Sequence, residues 1–304
     1  MYDVIIIGNG PAGLTAGIYA KRAGYSCLII DASPIGGGAI LNTYEVDNYP
    51  GVPGVTGMEL GEKFKAHADK LGVEFATATV KSIETDGVVK KVNTRKETFE
   101  CKSIIISTGA SNRKLGVPGE DDFLGAGVSY CATCDGAFYK EATVAVVGGG
   151  DVALEDALYL ARGCEKVYLI HRRDEFRGAK ILQDEVQATA NIECIMDTVV
   201  DSIEGADSVE KLLLSNKKIG EQVQVEVSGV FIAVGVEPNT NKIVGMPELD
   251  AAGYIIANED CVTSIPGVFA AGDVRTKGLR QVITACADGA NAVTSIEKYI
   301  REIK

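Results

Sequence analysis

The sequence predicts an α/β chain of two three-layer units, each built on a mainly parallel sheet, with the second unit inserted into the first. Three observations carry this. Val4–Asp31 repeats without a gap as Val144–His171, at an offset of 140 residues. Each copy reads as an apolar strand, a glycine-rich turn, an amphipathic helix and a second apolar strand, the opening of a parallel β-α-β unit. At 304 residues the chain exceeds one simple core, so two domains are expected.

The elements follow in order. Under the repeat Gly8 meets Gly148, Gly10 meets Gly150, Leu14 meets Leu154, Tyr19 meets Tyr159, Arg22 meets Arg162 and Ile30 meets Ile170. Between the copies, Ser103-Ile-Ile-Ile-Ser-Thr-Gly109 reads as a buried strand ending in a tight turn, and Arg113–Gly119 as a linker. After the second copy, Ile192–Glu226 alternates apolar and polar residues as a meander. Val230–Gly235 is another buried strand, and Glu237-Pro-Asn-Thr240 turns the chain out. The tail from about Lys242 holds one strand, Gly267–Asp273, and a long helix from about Gln281. It is too short to fold alone, so it is expected to return to the first domain. The expected division is 1–113 with 243–304 against 117–240, with hinges near 113–119 and 237–242.

Composition narrows the function. With 46% hydrophobic and 24% charged residues the chain reads as soluble and globular, and a net charge of −12 argues against nucleic acid and anionic membranes. No run approaches the ~18–20 apolar residues of a membrane span. Met1 leads straight into a strand and the first basic residue is Lys21, which is not a signal-peptide pattern. A cytoplasmic location is expected. Of eight cysteines, Cys27, Cys101, Cys164, Cys194, Cys261 and Cys286 sit singly and read as small buried hydrophobes.

Each glycine turn points to a nucleotide. In Gly8-Asn-Gly10-Pro11-Ala12-Gly13 the first glycine permits the tight turn, the second lets a pyrophosphate approach, and the third packs helix on strand. The phosphates would rest on the helix N-terminus, whose free N–H groups favour an anion. Asp31 ends the second strand, where a carboxylate accepts bonds from ribose hydroxyls. The second copy, Gly148-Gly-Gly150-Asp151-Val-Ala153, keeps the turn but has His171-Arg172-Arg173, then Arg177, in place of the acid. A carboxylate there would repel a 2′-phosphate, whereas guanidinium groups bind it, so this copy favours NADPH over NADH.

Cys131-Ala-Thr-Cys134-Asp135 lies just upstream of the second turn. Two thiols at this spacing can form a reversible disulfide. A zinc site would need two more ligands, and neither a second Cys-x-x-Cys nor a spare pair of histidines exists, since His67 and His171 are the only two. Asp135 could move the proton that disulfide exchange requires, although Asp-Gly is also an ordinary turn dipeptide.

These motifs, in this order, resemble the low-molecular-weight thioredoxin reductases. Further matches are Glu45-Val-Asp-Asn48-Tyr-Pro-Gly51, Thr108-Gly109-Ala, Pro118-Gly-Glu120, Val234-Gly-x-x-Pro-Asn-Thr240, Gly272-Asp273-Val and Arg280-Gln281-Val282. The resemblance implies Rossmann-like domains, with FAD in the first (1–113 and 243–304) and NADPH in the second (117–240). FAD would be held at Gly8, Gly10, Pro11, Ala12, Gly13, Asp31, Asn48, Thr108, Gly109, Gly272, Asp273, Arg280, Gln281 and Val282. NADPH would be held at Gly148, Gly150, Asp151, Ala153, His171, Arg172, Arg173 and Arg177. It further implies that Cys134 faces the flavin, Cys131 attacks thioredoxin and Asp135 is the acid. Asp273 would bond the ribityl-phosphate region, and the helix from Gln281 would turn its positive end to the isoalloxazine. A homodimer and a rotation of the NADPH domain between half-reactions are also implied.

One departure stands out: Gly37-Gly38-Ala39 replaces the family's usual Gly-Gly-Gln, removing a polar group near the flavin. Two rivals share the fold, a ferredoxin-linked flavin reductase and an FAD-dependent dithiol oxidase. Neither needs the His171–Arg177 motif. A redox-inert nucleotide-binding protein is a third reading, and the Cys pair argues against it.

Overall fold

The run Val4-Ile-Ile-Ile7 is buried along its length, and it makes β1 (Tyr2–Ile7) a central strand covered on both faces. The computed structural model describes residues 1–43, 46 and 48–303. Pro11 begins α1 (Pro11–Arg22), supplying a helical φ where the missing N–H costs nothing. The chain continues through β2 (Cys27–Asp31), α2 (Gly57–Lys70), β3 (Glu74–Thr77), β4 (Val80–Glu84), β5 (Lys90–Thr94), β6 (Thr98–Ile106) and β7 (Ala110–Asn112). Thr56 caps α2 by accepting the Glu59 N–H at 3.1 Å, while Glu59 accepts the Thr56 N–H at 2.9 Å.

Next come β8 (Val128–Ser129), α3 (Ala132–Asp135), β9 (Thr143–Gly148), α4 (Asp151–Ala161), β10 (Lys166–Ile170), α5 (Lys180–Ala188) and β11 (Ile192–Ile195). A meander, β12 (Thr198–Gly205), β13 (Val209–Asn216) and β14 (Gln222–Glu226), leads to β15 (Gly229–Ala233). Finally β16 (Val236–Pro238), β17 (Val268–Ala270) and α6 (Val282–Glu302) complete the chain.

The chain divides into two units. One holds Met1–Leu41, Tyr49–Ser111 and Glu237–Lys304; the other holds Asn42–Asn48 and Asn112–Val236. In the first the strand order is β3-β2-β1-β6-β5-β4, and β17 also pairs with β6. β6 is long enough to serve two strands on the edge away from β1: Cys101 pairs with Lys90 of antiparallel β5, and Ile104–Ile106 with parallel β17. In the second unit a parallel sheet runs β11-β10-β9-β15-β8.

The internal repeat survives as strand register. Val4 lies opposite Cys27 in the first sheet, and Val144 opposite Val167 in the second. In the first unit α1 and α6 cover one face of the sheet with small residues. A Cβ on Gly289 of α6 would lie 2.3 Å from the Ala12 carbonyl, so a larger residue would force the helices apart. β7 and β16, at the two chain crossings, pair as a ribbon.

Candidate active site

The redox pair is built on one turn of helix. Cys131 is the N-cap of α3, and its carbonyl accepts the N–H groups of Cys134 at 3.2 Å and Asp135 at 3.1 Å. That winding sets the two Cα atoms 5.3 Å apart, within bridging reach, and Cys131 and Cys134 are joined as a disulfide. Both are partly exposed, as exchange with another protein requires. Among the described residues no cluster of three metal-ligating side chains exists.

Ser129, at the end of β8, organises the loop. Its Oγ accepts the Cys131 N–H at 3.0 Å and donates to Asp135 Oδ2 at 2.6 Å. Asp135 Oδ1 is buried without a partner. Burial pushes the Asp135 carboxyl up, against the lowering effect of the Ser129 bond. The acid therefore stays protonated closer to neutrality than an ordinary aspartate. Ser129 was not legible as functional in the sequence, because its bond to Asp135 arises only when β8 runs into the α3 turn.

In the second unit a cavity of about 330 Å³ opens beside the second glycine turn, lined by Gly148, His171, Arg172 and Arg177. Gly148 is close-packed: a Cβ there would lie 2.6 Å from the Ala153 Cβ, which explains a small residue at 153. Gly150 is the N-cap of α4 and offers no capping side chain, leaving the helix N–H groups to a ligand. Asp151 accepts the Ala179 N–H at 2.6 Å, and Gly149 O accepts the Arg177 N–H at 2.7 Å, so the arginine loop is stitched to the turn.

His171 contributes shape and not charge. It is buried, its Nε2 lies 3.1 Å from the Glu175 carbonyl, and burial pushes its pKa down. The carbonyl can only accept, so Nε2 carries the proton of a neutral ring. Arg172, Arg173 and Arg177 are exposed and form no ion pair among the described residues. Arg173 lies outside the cavity lining, and Lys217, which sequence reasoning missed, lies within it.

In the first unit, a Cβ on Gly13 would lie 1.9 Å from Gly8 O, so only glycine fits. Asp31 accepts the N–H of Asn9 at 2.9 Å and of Ser33 at 2.7 Å, which fixes the carboxylate at the strand end. Thr108 and Gly109 are tied to Asn239, whose Nδ2 donates to Thr108 O at 2.9 Å. Gly272, at φ +80°, donates its N–H to Asp288 Oδ2 at 2.9 Å. Asp288 is itself buried between Arg275 and Lys277, both 2.8 Å away.

A cofactor with hydroxyl and phosphate groups fits these residues. Asp273 Oδ1 and Arg280 Nε are buried without partners, and burial pushes the Asp273 carboxyl up. Such orphaned groups are costly unless a ligand answers them. Gly10, the N-cap of α1, offers no side-chain cap, leaving N–H groups for a phosphate. The Arg280 guanidinium stacks 4.1 Å from the Tyr254 ring, and the Gln281 N–H donates to Thr284 Oγ1 at 3.1 Å as α6 begins at Val282. Ala39 is exposed, Asn48 is exposed beside Tyr49, and Glu45 and Asp47 lie outside the described residues.

Comparison with known proteins agrees with this construction. Residues 2–289 match the family described as Pyridine nucleotide-disulphide oxidoreductase. A thioredoxin reductase of Listeria innocua is 43% identical over 305 residues, covering 100% of this chain and 95% of the relative. The crystal structure of a thioredoxin reductase from Streptococcus pyogenes matches with a TM-score of 0.95 at 44% identity, over 99% of both chains. That of Lactococcus lactis thioredoxin reductase, described as the FR conformation, matches at 0.69 with 42% identity, over 99% of this chain and 100% of that one. A glycine turn in each unit and a dithiol in the second, together with similarity along the whole length, place this chain in the pyridine nucleotide-disulphide oxidoreductase family, among the low-molecular-weight thioredoxin reductases.

Proposed function

We propose that the chain is an NADPH-dependent thioredoxin-disulfide reductase that uses FAD. The observation that carries this is one unit holding a Cys131–Cys134 disulfide, a carboxyl group bonded into the same loop and an arginine-lined nucleotide cavity. When bound, FAD supplies the two-electron link between NADPH and the disulfide.

The first unit holds that cofactor through the Gly8–Gly13 turn, Asp31, Thr108–Gly109, Gly272–Asp273 and Arg280–Val282, and Asn48, at the edge of the segment that groups with the second unit, is a further contact. In the second, Arg172 and Arg177 bind the 2′-phosphate while the α4 N-terminus takes the pyrophosphate. In the reduced pair, the Cys131 thiolate attacks one sulfur of the thioredoxin disulfide, forming a mixed disulfide and releasing the other sulfur as a thiolate. Cys134 then attacks Cys131 Sγ, which frees the second thioredoxin sulfur and restores the Cys131–Cys134 bond. Asp135 supplies the proton that a departing thiolate takes up.

Dithiol and NADPH pocket share one unit and the flavin residues the other, so each must meet the flavin in turn. We assign the change to rotation about the crossings near 113–119 and 237–242. Relatives of 44% and 42% identity match this chain at TM-scores of 0.95 and 0.69, which supports two arrangements in the family. The reading extends to a homodimer in the cytoplasm; among the described residues no helix is long and apolar enough to cross a membrane.

Steady-state reduction of a thioredoxin by the FAD-loaded protein tests the donor. Turnover with NADPH exceeding that with NADH or reduced ferredoxin supports the reading. Turnover with ferredoxin alone would transfer the chain to the ferredoxin-linked rival.

A further inference from the structure

The cavity beside the arginine loop has a wall that the arginine motif does not supply. Lys217, in the turn between β13 and β14, lines it together with Arg172 and Arg177. It is distant in sequence from both, and three segments have to meet to put it there.

The turn is held from several sides. Asn216 Oδ1 accepts the N–H groups of Lys218 at 3.0 Å and Ile219 at 3.2 Å, closing the turn on itself. The Lys217 N–H donates to Asp197 O at 2.7 Å, and the Asp197 N–H to Arg173 O at 3.0 Å. Lys218 Nζ sits 3.1 Å from both Asp174 Oδ2 and Asp197 Oδ2. The hairpin tip is thus latched to the segment that carries the arginines.

The two adjacent lysines then have different chemistry. Lys218 is taken up by the two carboxylates of Asp174 and Asp197. Lys217 has no ion pair and no side-chain hydrogen bond among the described residues, although its backbone is fixed. Of the basic residues in the lining, Lys114 is paired with Asp121, whereas Arg172, Arg177 and Lys217 form no ion pair among the described residues; Arg113 also lines the cavity. A phosphate monoester, dianionic with three terminal oxygens, is the charge that such an arrangement matches.

We propose that Lys217 is a third cationic contact for the 2′-phosphate of NADPH and so a determinant of the NADPH-over-NADH preference. This rests on the cavity being the NADPH site. Lysine serves as a point charge on a flexible stem, so it adds attraction without the bidentate geometry of the arginines. The exposed rim makes that attraction sensitive to salt.

The test is calorimetric titration of the FAD-loaded full chain with NADP⁺ and with NAD⁺, which differ only in the 2′-phosphate. Lys217→Ala keeps the backbone bond to Asp197 and is expected to weaken NADP⁺ roughly tenfold, the lower end for one charge-assisted contact, with NAD⁺ unchanged. The salt dependence of NADP⁺ binding should flatten, and Lys217→Arg should retain most of the affinity. Unchanged NADP⁺ binding in Lys217→Ala overturns the inference and leaves the cavity assignment standing. Equal weakening of both nucleotides overturns it too, since the 2′-phosphate is then not what Lys217 senses. Absence of any NADP⁺ preference in the unaltered protein would instead remove the NADPH reading beneath it.

Discussion

The Ser129 hydroxyl stands 2.6 Å from Asp135 Oδ2 and accepts the Cys131 N–H at 3.0 Å, so one side chain couples the acid to the redox turn. The bond stabilises the charged carboxylate and opposes the burial that raises its pKa. Ser129→Ala should therefore move the alkaline limb of the thioredoxin-reduction rate to higher pH, because the acid then keeps its proton longer. Asp135→Asn should abolish that limb and slow the reaction by about 10²–10⁴-fold, as loss of a general acid does. A pH–rate profile of thioredoxin reduction checks both, and an unshifted limb in Ser129→Ala removes the coupling.

Asp135 also has a stability signature. A carboxyl whose folded pKa is raised favours folding below its unfolded value, and that contribution is lost as pH rises through the folded value. The charged, half-partnered group weighs against the folded state at pH 8. Asp135→Asn should melt at a higher temperature there and show little difference at pH 4. Differential scanning calorimetry at the two pH values decides it.

Arg172 lines the cavity beside the second glycine turn, the proposed NADPH site, and Arg173 does not. Arg172→Ala should raise the KM for NADPH by roughly one to two decades, the range for losing one charge-assisted contact of ~1.5–3 kcal/mol. Arg173→Ala should have less effect, and the KM for NADH should hardly move in either variant. Equal losses in the two variants would contradict the side-chain placement.

A Cβ on Gly149 would lie 2.2 Å from the His171 ring, which is itself buried. Gly149→Ala should displace the ring and deform the cavity, weakening NADPH binding while FAD content stays normal. Parallel measurement of flavin stoichiometry and NADPH KM tests whether the damage stays in the second unit.

Asp288 is the sole buried carboxylate facing both Arg275 and Lys277 among the described residues. Asp288→Ala strands two buried cations and should cost about 3–5 kcal/mol, with Asp288→Asn milder. The cations hold the Asp288 carboxyl below its ordinary range despite burial. Its contribution is present above the unfolded value, ~3.9, and is lost as pH falls through the lower folded value. Urea midpoints at neutral pH and below pH 4 should show the penalty shrinking in acid.

The fold and its two glycine turns were legible because they are local patterns: an offset of 140 residues carries Val4 and Cys27 onto Val144 and Val167, and the paired register follows. The redox pair was legible for the same reason, since Cys131 and Cys134 bracket one helical turn. Ser129, Lys217 and Asp288 were not. A serine before a cysteine, a lysine in a hairpin turn and an aspartate inside a helix are unremarkable until strands and loops distant in sequence meet. His171 was legible as part of the motif, but its neutral, buried role depends on packing against Gly149 that no local pattern encodes.

Electrons pass, in the proposed function, from NADPH through bound flavin to the Cys131–Cys134 disulfide and on to a thioredoxin. Anaerobic titration of the FAD-loaded protein with NADPH, followed by oxidised thioredoxin, addresses this path directly through flavin absorbance. Bleaching by NADPH and return of the oxidised spectrum on adding thioredoxin are expected, with Cys134→Ser bleaching normally but failing to reduce thioredoxin. A flavin that stays yellow with NADPH, or a Cys134→Ser variant that reduces thioredoxin undiminished, would contradict it.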